Sequence, residues 1–250
     1  INDISFAGSK SGKYSVLSVP YGAHDIKYNV ELHSNIKLTG VKGTVLNLYP
    51  KDSSKPAISC QRINRQSYIF GASVEGLLLS LKSKSVAVIQ TNRCFRSTIK
   101  VEIEANEMAD YGITIGGEKD ESGSIGSQVN SCKVTGANVG AINYESVGGR
   151  HRMLDDHLKG NKGSGITGEA NNLTVEFCQI ESNKKANINI SSGVSLVVRS
   201  CTFEKADVKV KANTFVFEGN KMSGGDLEID SFYARVSTNR LLGVGISTTG

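Results

Sequence analysis

From Gln128 to Thr248 apolar and polar residues alternate in short runs, broken by Gly, Asn, Ser and Lys. Alternation with a period of two is the pattern of strands with one face buried. The runs recur as a unit. Aligning "VNSCKV", "LDDHLK", "VEFCQI", "VRSCTF", "FEGNKM" and "VSTNRL" puts Cys132, His157, Cys178, Cys201, Asn220 and Asn239 in one column, at steps of 25, 21, 23, 19 and 19 residues. Each marker is followed within two residues by an apolar one. Each unit then closes on an apolar triplet: "AINY", "ITG", "INI", "VKV", "LEI" and "VGI". A repeat of about 20 residues is the signature of a solenoid.

Each unit therefore predicts three short strands. Antiparallel hairpins in a sandwich would also alternate, but they would pair strands two at a time and in reverse order. Here three strands repeat, and the same residue type returns at the same place. A coiled chain stacks equivalent positions about 4.7–4.9 Å apart, so Cys and Asn can form ladders along its axis. The pattern predicts an all-β fold, a single-stranded right-handed parallel β-helix forming one domain over residues 1–250. The first half fits the repeat more loosely. Its runs "YSVLSV", "SNIKLTG", "TVLNL", "PAISC" and "STIKVEIE" read as further coils, with Cys94 expected on the same ladder. No amphipathic helix and no linker of domain-separating composition interrupts them.

Composition narrows the function. Hydrophobic residues make up 38% of the chain and glycines number 27, which fits a globular body with many tight turns. The net charge of +5 comes from 29 basic and 24 acidic residues, a mild bias that suits an acidic glycan. No Lys/Arg block points to nucleic acid, and no apolar run reaches the roughly 20 residues of a membrane helix. The chain opens at Ile1 rather than Met and stops at "GISTTG", so it reads as a fragment of a longer protein.

Five cysteines without a C-x-x-C pair suggest neither a disulfide framework nor a zinc site. Cys178 and Cys201, on adjacent coils, come within disulfide reach, yet free thiols are expected. "GSGITG" formally matches G-x-G-x-x-G, but a strand follows it, where a phosphate cradle needs a helix N-terminus. No cofactor or metal is expected.

Candidate chemistry lies on the outward positions of the triplet strands. These predict ladders through Thr114, Asn143, Thr167, Asn189, Lys209 and Glu228, and through Gly116, Glu145, Glu169, Ser191, Lys211 and Asp230. Glu145 and Glu169 would stack on adjacent coils, a spacing that suits a glycosidase carboxylate pair or a coupled acid and base. The alternative is two solvated glutamates on an exposed sheet. The longest departures from the repeat, Gly116–Gly126 and Glu145–Gly165, flank this pair, and solenoid insertions often build a binding surface. The second supplies Arg150, His151 and Arg152 to neutralise a sugar carboxylate and Asp156 as an acid or base, with His157 replacing Cys on the ladder. With no Trp in the chain, Tyr111 and Tyr144 are the aromatic residues available to stack on sugars. Asn143 and Asn189 complete the expected substrate-binding set.

The stretch "LSVPYGAHDIKYNVELHSNIKLTGVKGTVLNL", Leu17–Leu48, resembles the opening coils of the pectate-lyase-like β-helix superfamily, most of all its bacteriophage tailspike and receptor-binding members. The Asp-rich stretch and capping helix that usually precede these coils are absent here. The resemblance implies binding, and often cleavage, of a long host-surface polysaccharide along the outside of the helix. It also implies a homotrimer and a place in the virion tail or outside the cell. Three readings follow: a depolymerising tailspike domain, a non-catalytic receptor-binding or structural β-helix of a virion, and a secreted bacterial polysaccharide lyase.

Overall fold

The computed structural model describes residues 15–60, 69–116, 124–145 and 149–249. Most of the insertion Gly116–Gly126, and residues 146–148 of the second insertion, lie outside that set. Among the described residues there is no helix, and 26 strands join in one sheet whose pairings are all parallel. The sheet winds into a right-handed β-helix of about nine turns.

Three apolar columns form the core. On the triplet face, Val30, Ile58, Ile89, Ile113, Ile142, Ile166, Ile188, Val208 and Leu227 stand in register on successive coils. All nine are buried. The second face stacks Leu38, Val74, Ile99, Val129, Met153, Val175, Val198 and Phe217, and the third stacks Leu46, Leu79, Ile103, Val134, Leu158, Ile180, Phe203 and Met222. Each large side chain withdrawn from water contributes roughly 1.5–3 kcal/mol. The period-two pattern exists because every inward residue meets its own kind one coil away.

The marker ladder sits at the corner between the second and third faces. Ser131, Asp155, Phe177, Ser200, Gly219 and Thr238 each adopt a positive φ of 51–66°, and the residue after each turns inward. That residue is Cys132, Asp156, Cys178, Cys201, Asn220 and Asn239. The ladder member of the second unit is thus Asp156 and not His157. His157 pairs with Lys133 and Gln179, one position further on, and faces outward. Asn220 Nδ2 donates to Val198 O at 3.0 Å and Asn239 Nδ2 to Phe217 O at 2.8 Å, so the side chains satisfy carbonyls that the corner leaves unpaired.

Cys94 also departs from expectation. It follows Arg93, at a φ of 51°, where the triplet-face strand Ser85–Asn92 ends, and its Sγ lies 3.6 Å from Cys60 O. It belongs to a different corner from Cys132. All five cysteines are buried free thiols.

Candidate functional site

The outward column of the triplet face forms in the register expected. Thr114, Asn143, Thr167, Asn189, Lys209, Glu228 and Ser247 follow one another on successive coils. Thr114 and Asn143 are buried at this end of the strip, while Asn189 is exposed further along.

The second outward column is broken by a bulge. The ladder joining Gly140–Glu145 to Ser164–Ala170 stops at Tyr144↔Gly168, one residue short of Glu145 and Glu169. On the next coil the register shifts between Gly168 and Glu169, so Glu169 stands opposite Ser192 rather than Ser191. Gly168 carries a φ of +104°, and a Cβ there would lie 2.1 Å from Tyr144 O, so the bulge requires glycine. Both glutamates are exposed at the edge of the strip.

Glu145 has the more distinctive surroundings. Asn143 Nδ2 donates to its Oε1 at 3.1 Å. Partial burial pushes its carboxyl above the ordinary range, and the Asn143 hydrogen bond opposes that shift. The phenol of Tyr111 is also raised, first by burial and then by the negative charge of Glu145. Tyr111, Asn143 and Glu145 therefore form one electrostatically coupled group at the end of the strip beside both insertions.

The remaining candidates scatter. Tyr144, between the outward Asn143 and Glu145, points inward, is 2% exposed, and packs its ring 5.5 Å from that of His151. Burial pushes its phenol well up. His151 is itself buried, because Arg152, next along the strand, points outward. Arg152 lies on the second face, where its Nε and Nη2 hold Glu176 Oε2 at 3.1 and 2.8 Å. Arg150 is exposed at the corner with a φ of 65°. Asp156, expected as a surface acid or base, is 1% exposed inside the solenoid. Its carboxyl is pushed up to about 8 by burial. Asn189 lies on the outer strip as expected.

The expected set is thus divided: Tyr111, Asn143, Glu145, Glu169 and Asn189 share one face, Arg150 and Arg152 lie on the corner and the neighbouring face, and Tyr144, His151 and Asp156 belong to the core. In the other five units the apolar residue stands two positions after the marker, and holding the second unit to that spacing selects Asp156, before Leu158, as the inward residue. Nothing in the alternation marked the acid–base pairs that line the strip's far end. Lys209 Nζ meets Glu228 at 2.7 Å and Asp207 at 3.2 Å, and Lys211 Nζ meets Asp230 at 3.0 Å.

Among the described residues no group of three or more His, Cys, Asp or Glu is placed to hold a metal ion. No helix long and apolar enough to cross a membrane occurs among them.

No protein-family model matches the sequence, and no curated protein matches it. Solved structures do. The chain superposes on the ORF18 structure of Geobacillus virus E2 with a TM-score of 0.73 and 11% identity, over 95% of this chain and 53% of that one. It matches a tailspike protein of E. coli bacteriophage HK620, solved with a pentasaccharide, with a TM-score of 0.68 and 10% identity, over 99% and 53% of the two chains. An iota-carrageenase from A. fortis matches with a TM-score of 0.57 and 14% identity, over 90% and 50%. The chain spans about half the length of these proteins. It shares with a phage tailspike and with polysaccharide-acting enzymes the fold of the right-handed parallel β-helix.

Proposed function

We propose that this chain is the glycan-contacting solenoid of a phage tailspike-type protein, and that a host-surface polysaccharide lies along the outer strip and is cleaved at Glu145. The observation that carries this reading is the Tyr111–Asn143–Glu145 group. Partial burial shifts this carboxyl upward, the direction that suits a general acid, while the Asn143 amide that opposes the shift fixes its orientation. Glu169, at the matching edge one coil on, is the second carboxylate for water activation or nucleophilic attack.

Hydrolysis is favoured over lyase chemistry. A lyase needs a general base near a group that neutralises the sugar carboxylate. Of the basic residues that could serve, His151 is buried in the core, Lys209 is held protonated, with its pKa raised first by the Glu228 hydrogen bond, and Arg150 lies at the corner rather than on the strip. A homotrimer and a place on the virion tail follow from the same reading. A binding-only role is the second reading, favoured by the ladder that stops short of pairing Glu145 with Glu169.

The test is incubation of the wild type and Glu145→Gln with purified bacterial capsular polysaccharides and lipopolysaccharides, scoring new reducing ends and unsaturated-uronate absorbance. Reducing ends from the wild type, lost at least 100-fold in Glu145→Gln with binding retained, support the proposal. Retained binding with neither product supports binding only. Unsaturated product overturns hydrolysis.

A further inference from the structure

Two grooves meet on the outer strip, one coil beyond the bulge. The first, of about 350 Å³, is lined by Asn189, Ser191, Lys209 and Glu228. The second, of about 390 Å³, is lined by Ser192, Asn213, Ser231 and Phe232. Lys211 and Asp230 line both, so the grooves are two lobes of one channel.

Phe232 is 96% exposed. Its ring lines the second lobe beside Ser192, Asn213 and Ser231, with the exposed Tyr233 next along the strand. The side-chain amides of Asn189 and Asn213 make no hydrogen bond among the described residues, so both are available to a ligand. A flat apolar surface flanked by open amides and hydroxyls matches a hexose ring, which has one C–H face and a rim of hydroxyls.

The charges narrow the choice further. Both lysines of the channel are answered by carboxylates: Lys209 by Glu228 and Asp207, and Lys211 by Asp230. The channel therefore has no surplus positive charge to hold a uronate or sulfate, although the chain as a whole is basic. A polyanion would have to break these pairs or bring its charge against Asp207, Glu228 and Asp230.

We infer that this channel is a binding subsite for neutral hexose units of a glycan, with Phe232 as the stacking platform and Asn189 and Asn213 reading ring hydroxyls. The inference rests on the polysaccharide reading above. It adds a distinct contact several coils from Glu145, and it turns the ligand class away from the acidic glycans that net charge alone suggested.

The test is binding of wild type, Phe232→Ala and Phe232→Tyr to an immobilised panel of neutral and acidic bacterial polysaccharides, read by interferometry, with light scattering of each protein. The expected result is wild-type binding to a neutral glycan, lost at least tenfold in Phe232→Ala and retained in Phe232→Tyr. Because Phe232 is exposed, the circular dichroism of Phe232→Ala should match the wild type, and Phe232→Tyr separates loss of the ring from loss of fold. Equal binding by Phe232→Ala, or binding confined to acidic glycans, overturns the inference and leaves the polysaccharide reading standing. Wild-type binding to no glycan overturns both. Wild-type self-association abolished in Phe232→Ala, with glycan binding unchanged, assigns Phe232 to a contact between copies and overturns the inference.

Discussion

Asp156 Oδ1 accepts the backbone N–H of Cys132 at 2.7 Å across adjacent coils. Asn220 Oδ1 accepts that of Cys201 at 2.9 Å in the same way three coils on. An acid thus occupies a position elsewhere filled by a neutral amide. The thiol of Cys178 lies 3.9 Å from its other oxygen, the charge of Asp155 opposes its ionisation, and its own charge raises the buried Tyr144 and Cys132.

This substitution makes stability depend on pH. The carboxyl is pushed up to about 8 in the fold, mainly by burial, against about 3.9 in an unfolded chain. A raised carboxyl carries no penalty below about pH 4. Its contribution is lost progressively as pH rises from about 4 to about 8, because only the unfolded chain ionises freely there. Asp156→Asn should therefore raise stability at pH 7 by on the order of 3 kcal/mol. Urea midpoints measured from pH 4 to 8 should fall more steeply for the wild type than for the variant. Parallel profiles would sink the idea.

Glu181 shows the opposite sign. Lys159 Nζ stands 2.8 Å from its Oε1 and His157 Nε2 3.2 Å. The Lys159 hydrogen bond, above all, holds the carboxyl down at about 2. A lowered carboxyl contributes stability above its unfolded value near 4.3, and loses it as pH falls towards 2. Lys159 is half-exposed, so solvent screening limits the gain. Glu181→Gln should cost about 1 kcal/mol at pH 7, with the gap closing at low pH and in high salt. A cost unchanged at pH 2 would rule out the ion pair as its source.

Phe177 is a bulky residue at φ 56°, and 61% exposed, where equivalent corners use Ser131, Asp155, Ser200, Gly219 and Thr238. Its ring has little burial to offset the left-handed backbone. Phe177→Gly should stabilise the fold by about 0.5–1 kcal/mol, raising the melting temperature a few degrees. A lower melting temperature would show that the ring makes a contribution the strain argument misses.

At Gly168 the direction reverses. With φ +104° and a Cβ site 2.1 Å from Tyr144 O, Gly168→Ala should destabilise by about 3 kcal/mol. It should also remove any glycan cleavage by displacing Glu169. Wild-type stability in this variant would mean that the bulge relaxes without glycine.

The solenoid was legible because its cause is local and repeated. Val134, Leu158, Ile180 and Phe203 recur at the same step because each must cover the one before it. The strip from Thr114 to Glu228 was legible for the same reason, since inward apolar residues fix the parity of their outward neighbours. Asn143, Asn189 and Glu145 therefore fell where the pattern put them.

What alternation by itself determined was the coil, its three faces and the outward strip. The tertiary structure decided the exceptions, each set by one backbone conformation. A left-handed residue at Asp155 turns Asp156, not His157, into the core, and strand parity then places His151 and Tyr144 inside. A left-handed glycine at 168 ends the ladder before the two glutamates can pair. Parity propagates along a strand without loss, but a single positive φ resets it, and residue types alone do not fix where that happens.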